Sequence, residues 1–76
     1  MPRPIVLATR HFPTAVERRL DTLFEARLNP DDRVWDAAEI ARRAEGAHGL
    51  MIAAGQRMDR AAIAALPAGI RIIATF

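Results

Sequence analysis

Ile5-Val6-Leu7-Ala8-Thr9, bounded by Pro4 before it and by Arg10-His11-Phe12-Pro13 after it, runs directly into Thr14-Ala15-Val16-Glu17. The first run is short, apolar and rich in β-branched residues, as a strand buried on both faces requires. The second matches a capping box, in which Thr14 would accept an orphan backbone N–H and Glu17 would reach back to the cap. Val16, Leu20, Leu23 and Phe24 then recur at i, i+4, i+7 and i+8, predicting one apolar stripe with Glu17, Arg18, Arg19 and Asp21 facing water. A buried strand feeding a helix that is apolar on one side is the opening of an α/β layer.

The same rhythm continues along the chain. Glu25 to Asn29 predicts a second, more exposed edge strand, ended by Pro30-Asp31-Asp32. Asp36-Ala37-Ala38-Glu39 is a second capping-box match, and Ile40, Ala44 and Ala47 predict a short, loosely anchored helix that Gly46 and Gly49 punctuate. Leu50-Met51-Ile52-Ala53 reads as a third strand, and Asp59 as the cap of a third helix carrying Ile63 and Leu66. Pro67-Ala68-Gly69 turns the chain into Ile70 to Phe76, which reads as a buried parallel strand. Strands alternating with helices at this spacing predict right-handed βαβ crossovers and a parallel sheet. The fold class is α/β: a flavodoxin-like, doubly wound, partial β-α-β-α-β-α-β three-layer sandwich.

The 76 residues make one small domain, and a chain of this size buries only about 60% of its unfolded surface. There is no cysteine, so disulfides, thiolate metal sites and a cysteine nucleophile are excluded, and there is no serine, so a serine triad is excluded. The start lacks the apolar core of a signal peptide and no run approaches the roughly 18 apolar residues of a membrane span, which predicts a soluble, cytoplasmic chain. All eleven basic residues are arginine, beside sixteen alanines, a bias of coding rather than of phosphate binding. The arginines are interspersed with nine acidic residues for a net charge of +2, and no aromatic residues interleave with them, so the footprint of a nucleic-acid binder is missing.

Candidate chemistry is sparse. His11 and His48 lie in loops with no evident serine or carboxylate partner at catalytic spacing, and read as solvated. Asp31, Asp32 and Asp36 lack calcium-loop spacing and read as turn and cap residues. A phosphate-accepting receiver domain would need carboxylates where Thr9-Arg10-His11 and Ala53-Ala54-Gly55 stand. None of the four glycines forms a G-x-G-x-x-G fingerprint, so a nicotinamide cofactor would bind elsewhere. The most suggestive segment is Ala54-Gly55-Gln56-Arg57, which leaves a buried strand at the sheet's carboxyl edge. It reads equally as a close approach to a ligand and as a plain turn using the freedom of Gly55, with Arg57 on the surface.

The pattern resembles the amino-terminal part of the D-isomer-specific 2-hydroxyacid dehydrogenases, close to the glyoxylate and hydroxypyruvate reductase branch. The likeness rests on Pro4 to Arg10 with Pro13 after it, Val34-Trp35, Gly46 to Ile52 leading to Met58-Asp59, and Leu66-Pro67 before Ile70 to Phe76. It implies an oxidoreductase that transfers a hydride between NAD(P)H and a small 2-oxo acid such as glyoxylate or hydroxypyruvate, giving a D-2-hydroxy acid. Residues 1–76 would be the first portion of the substrate-binding domain, and the Rossmann domain that holds the cofactor would lie outside this chain. The resemblance also implies a homodimer, with a catalytic arginine, glutamate and histidine that all come later, so no catalytic residue is assigned here and the segment alone is expected to be inactive. The loop after the third strand maps onto the family's substrate wall, making Ala53, Ala54 and Gly55 the candidate substrate-binding residues, with no cofactor-binding or metal-binding residue. They depart from the bulkier leucines and the Ser-Asp often found there in the family, which implies either a wider pocket or a wall completed by another residue. From the residues alone a second reading stands beside this one: a self-standing α/β binding or assembly module whose final strand pairs with another chain.

Overall fold

A computed structural model describes residues 3–53 and 58–75. Four strands and three helices alternate: β1 (Ile5–Ala8), α1 (Thr14–Leu23), β2 (Glu25–Arg27), α2 (Ala37–Arg43), β3 (Gly49–Ile52), α3 (Arg60–Ala64) and β4 (Ile72–Thr75). The strands form one wholly parallel sheet in the order β2-β1-β3-β4, with Val6 opposite Ala26, Leu7 opposite Leu50 and Leu50 opposite Ile73. This is the flavodoxin-like order, in which the second strand lies on one side of the first and the third on the other. The edge position expected for β2 is the one it occupies.

Alternation along the strands builds two cores. Leu7, Leu50 and Ile52 point to one face, where Ile40 of α2 and Ala44 at its C-cap close over them and Trp35, Met58, Leu66 and Ile70 pack around the rim. Val6, Ala8, Met51 and Ala53 belong to the other, packed with Val16 and Leu20 of α1 and with Phe12 and Phe24. Helices on both faces complete the three layers. Far from being loosely anchored, α2 buries Ile40 almost completely, and its C-cap Ala44 and Ala47 behind it are buried as well.

Helix ends obey local chemistry. Asp36 and Asp59 cap α2 and α3, their carboxylates accepting from the backbone N–H of Glu39 and Ala62 at 2.8 Å. Glu39 does not reach back to its cap; it pairs with Arg42 and Arg43 one turn on. Thr14 is not the cap of α1 either. The helix starts on the carbonyl of Pro13, which accepts from Val16 and Glu17, and no side chain caps it. Two arginines serve the opposite ends: Arg3 donates to the carbonyls of Asp21 and Thr22, and Arg27 to those of Arg43 and Glu45. Gly46, at φ +77°, supplies the left-handed turn that takes α2 back to the sheet.

Three burial expectations are corrected. Leu23 is 51% exposed, because it is the last residue of α1 and Phe24, in the extended connection beyond it, takes the packing position. Ile63 is also exposed, and the small Ala62 is the buried residue of the five-residue α3. All four residues of β4 are exposed, with Ile72 at 67% and Ile73 at 37%. No described strand pairs with the outer edge of β4, and on the side of α1 the apolar surface of Val6, Met51, Ile72 and Ala74 beside Leu20 and Phe24 forms an open groove.

The packing difference is measurable. Leu50→Ala, in the closed core, is expected to cost about 2–5 kcal/mol, and Leu23→Ala less than about 0.5 kcal/mol; thermal or urea unfolding of the two variants checks the contrast.

Candidate functional site

In an open α/β sheet, ligands bind beyond the carboxyl ends of the strands, at the point where the connections diverge to opposite sides. Here that point lies between β1 and β3, because β1 connects outward to β2 and the chain then crosses back to place β3 on its other flank. Its described flanks are the loop after β1, residues 9–13, and Ala53 at the end of β3. Ala53 is half-buried and packs in the cluster formed by Ala8, Phe12 and Leu20. Ala54 and Gly55, the other two residues of the expected substrate wall, lie outside the described residues, as do Gln56, Arg57 and Phe76.

The β1 loop is held on every side. Thr9 is fully buried, and its backbone N–H and hydroxyl both donate to the carbonyl of Met51, at 3.0 and 3.3 Å, tying the two walls together at their base. Asn29, only 3% exposed, donates to the carbonyls of Thr9 at 3.2 Å and Arg33 at 2.8 Å and accepts from the backbone N–H of Arg33 at 3.3 Å. It stitches the β1 loop to the loop after β2. Further out, Asp32 accepts from Arg10 Nε at 2.8 Å, from Arg10 Nη2 at 3.1 Å and from the backbone N–H of His11 at 2.9 Å. The next amide, that of Phe12, donates to Glu17 Oε2 at 3.1 Å. Glu17 therefore turns back toward the chain before the helix, but its donor is the Phe12 amide, two residues upstream of Thr14.

Asp31, Asp32 and Asp36 are the turn and cap residues expected, with one addition. Asp32 sits at φ +51°, a conformation that Asp and Asn tolerate better than most residues, and the turn aims its carboxylate at the β1 loop. The hydrogen bond from the Arg10 guanidinium, and after it that from the His11 amide, lowers the Asp32 pKa from 3.8 to about 2. The two histidines are exposed as expected, yet both have partners. His11 Nδ1 lies 3.2 Å from Glu17 Oε2, a carboxylate partner six residues away that the helix start brings near. His48 Nδ1 accepts from the backbone N–H of Ile5 at 3.0 Å, which places it at the amino end of the sheet, opposite the crevice.

Asn29 and Asp32 do not stand out as site residues in the sequence. The dipeptide Asn29-Pro30 signals a turn, but nothing local signals that the turn grips a loop some twenty residues upstream. Among the described residues no group of acidic and histidine side chains is arranged to hold a metal ion, and no helix is long and apolar enough to cross a membrane.

No protein-family profile matches the chain, and no curated protein does. Among solved structures it is similar to a protein from Polaromonas sp. JS6 66 assigned as a D-isomer specific 2-hydroxyacid dehydrogenase, NAD-binding. The two superpose with a TM-score of 0.83 at 32% identity, over 99% of this chain and 23% of that one. The chain thus spans about a quarter of the length of the structure it matches.

The Asp32 contact sets a pH window. A carboxylate whose folded pKa is depressed contributes stability that is present above its unfolded pKa and lost as pH falls through the folded one. The contact is therefore expected to be complete above 3.8 and to open as pH falls through about 2. Titration of the Asp32 carboxyl carbon by NMR checks this; a midpoint at the ordinary value would contradict the pairing.

Proposed function

We propose that residues 1–76 are the amino-terminal part of the substrate-binding domain of an NAD(P)-dependent D-2-hydroxyacid dehydrogenase. Its reaction is hydride transfer between NAD(P)H and a small 2-oxo acid such as glyoxylate or hydroxypyruvate. The observation that carries this reading is the superposition of nearly the whole chain on the Polaromonas protein, at an identity of 32%. The strand order supports the assignment to a substrate domain, since β2-β1-β3-β4 is flavodoxin-like and differs from the order 3-2-1-4 of a dinucleotide fold.

The first βα turn does not fit a dinucleotide. It holds no glycine, and two of its amides, those of His11 and Phe12, already donate to the carboxylates of Asp32 and Glu17. Those carboxylates would repel a pyrophosphate placed there. In this reading the cofactor belongs to another part of the polypeptide, and this segment supplies a wall, Ala53 with Ala54 and Gly55, against which the apolar part of the substrate rests. A wall of small side chains sets the width available beside the reacting carbonyl. The acid/base histidine and the arginine that would polarise the carbonyl lie outside residues 1–76.

Expression of the complete reading frame that contains this segment tests the proposal. Oxidation of NADH or NADPH that depends on glyoxylate or hydroxypyruvate is expected from that product, and none from the 76-residue chain alone. Turnover by the short chain, or a complete product without 2-oxo acid reductase activity, would overturn it.

One observation favours a second reading, a self-standing assembly module: Ile72 and Ile73 lie exposed on a strand whose outer edge no described strand covers, which invites pairing with another chain. Light scattering coupled to size exclusion separates the two, because a cooperatively melting oligomer of the short chain is expected only from the module.

A further inference from the structure

The loop after β1 lies at the carboxyl end of that strand, and its His11 and Phe12 amides end on the carboxylates of Asp32 and Glu17. Asp32 accepts one of these amides and two bonds from the Arg10 side chain, and it comes from the loop after β2, so its grip reaches from the edge strand to its neighbour β1. Phe12, 3% exposed, carries that grip inward, because its ring packs in the same cluster as Ala53. Asp32 is thus linked to the cluster that Ala53 packs against through two neighbouring residues, His11 by its amide and Phe12 by its ring.

We infer that Asp32 is a positioning residue, which latches the β1 loop so that Phe12 backs Ala53 and fixes the width of the substrate crevice. The inference rests on the proposed function for its substrate and on the geometry alone for the latch. Asp32 meets no substrate itself. Its left-handed turn brings the carboxylate to the loop, and the Arg10 guanidinium, engaged through Nε and Nη2, keeps that carboxylate in one orientation.

Two substitutions separate the carboxylate from the backbone. Glycine is at ease at a φ of +51°, so Asp32→Gly removes the latch without straining the turn. Asparagine also accepts that conformation and keeps an oxygen for the His11 amide, so Asp32→Asn should restore most of the loop.

In the 76-residue chain, amide hydrogen exchange at His11 is expected to quicken about tenfold in Asp32→Gly. The nuclear Overhauser effect between the Phe12 ring and the Ala53 methyl should weaken, while Leu7 and Leu50 keep their protection. Asp32→Asn should lie close to the parent chain in both measurements. In the complete enzyme, Asp32→Gly should raise KM for the 2-oxo acid several-fold with kcat and the cofactor KM little changed, and Asp32→Asn should recover it. Unchanged exchange and an unchanged Phe12–Ala53 contact in Asp32→Gly would overturn the latch. A loosened loop with an unaltered KM would overturn its role in positioning. If the complete polypeptide reduces no 2-oxo acid, the proposed function fails, and the two NMR measurements still decide whether the latch exists.

Discussion

The parallel pairing of β1 with β3 is the constraint on which the rest of the structure depends. Leu7 and Leu50 stand opposite each other in its register, both almost wholly buried beneath α2. Because β2 takes the other side of β1, this pairing reverses the direction in which the sheet grows and opens a crevice beyond the carboxyl ends of the two strands. It also fixes the base of that crevice, since the Thr9 amide continues the ladder onto the carbonyl of Met51.

Around the crevice, that pairing produces a division of labour. On one face of the sheet, Ala8, Phe12, Met51 and Ala53 share one apolar cluster with α1. Polar residues set the loops above them, with Asn29 buried among carbonyls and Asp32 more exposed beside Arg10. The amide donors of the first βα turn, which in a dinucleotide site would meet phosphate, are spent on Asp32 and Glu17.

Much of this architecture is legible in the residues. The order of the seven elements, the edge position of β2 and the caps at Asp36 and Asp59 all arise from local pattern, because apolar periodicity and capping act over a few neighbouring residues. Local pattern misleads where a tertiary neighbour decides. Thr14 resembles a cap, yet the carbonyl of Pro13 starts the helix. Leu23 completes an apolar stripe, yet it ends α1 exposed while Phe24 takes the packing position, and the apolar run from Ile70 to Phe76 reads as buried although β4 lies exposed at the edge. In the crevice, Ala53 is legible as a residue at the end of a buried strand. Asn29 and Asp32 are not, because their partners Thr9, Arg10 and His11 stand about twenty positions away in sequence and meet them only once β1 and β2 are paired.

If this segment sets the width of a 2-oxo acid pocket and leaves the cofactor to another domain, enlarging its wall should discriminate between substrates and spare the cofactor. The most direct measurement is the steady-state kinetics of Ala53→Leu in the complete enzyme, with glyoxylate and hydroxypyruvate compared at saturating cofactor. Adding three carbons to the wall should lower kcat/KM for hydroxypyruvate by about tenfold or more relative to glyoxylate, with the KM for NADH or NADPH unchanged. An equal loss for both substrates, or a change confined to the cofactor's KM, would contradict it.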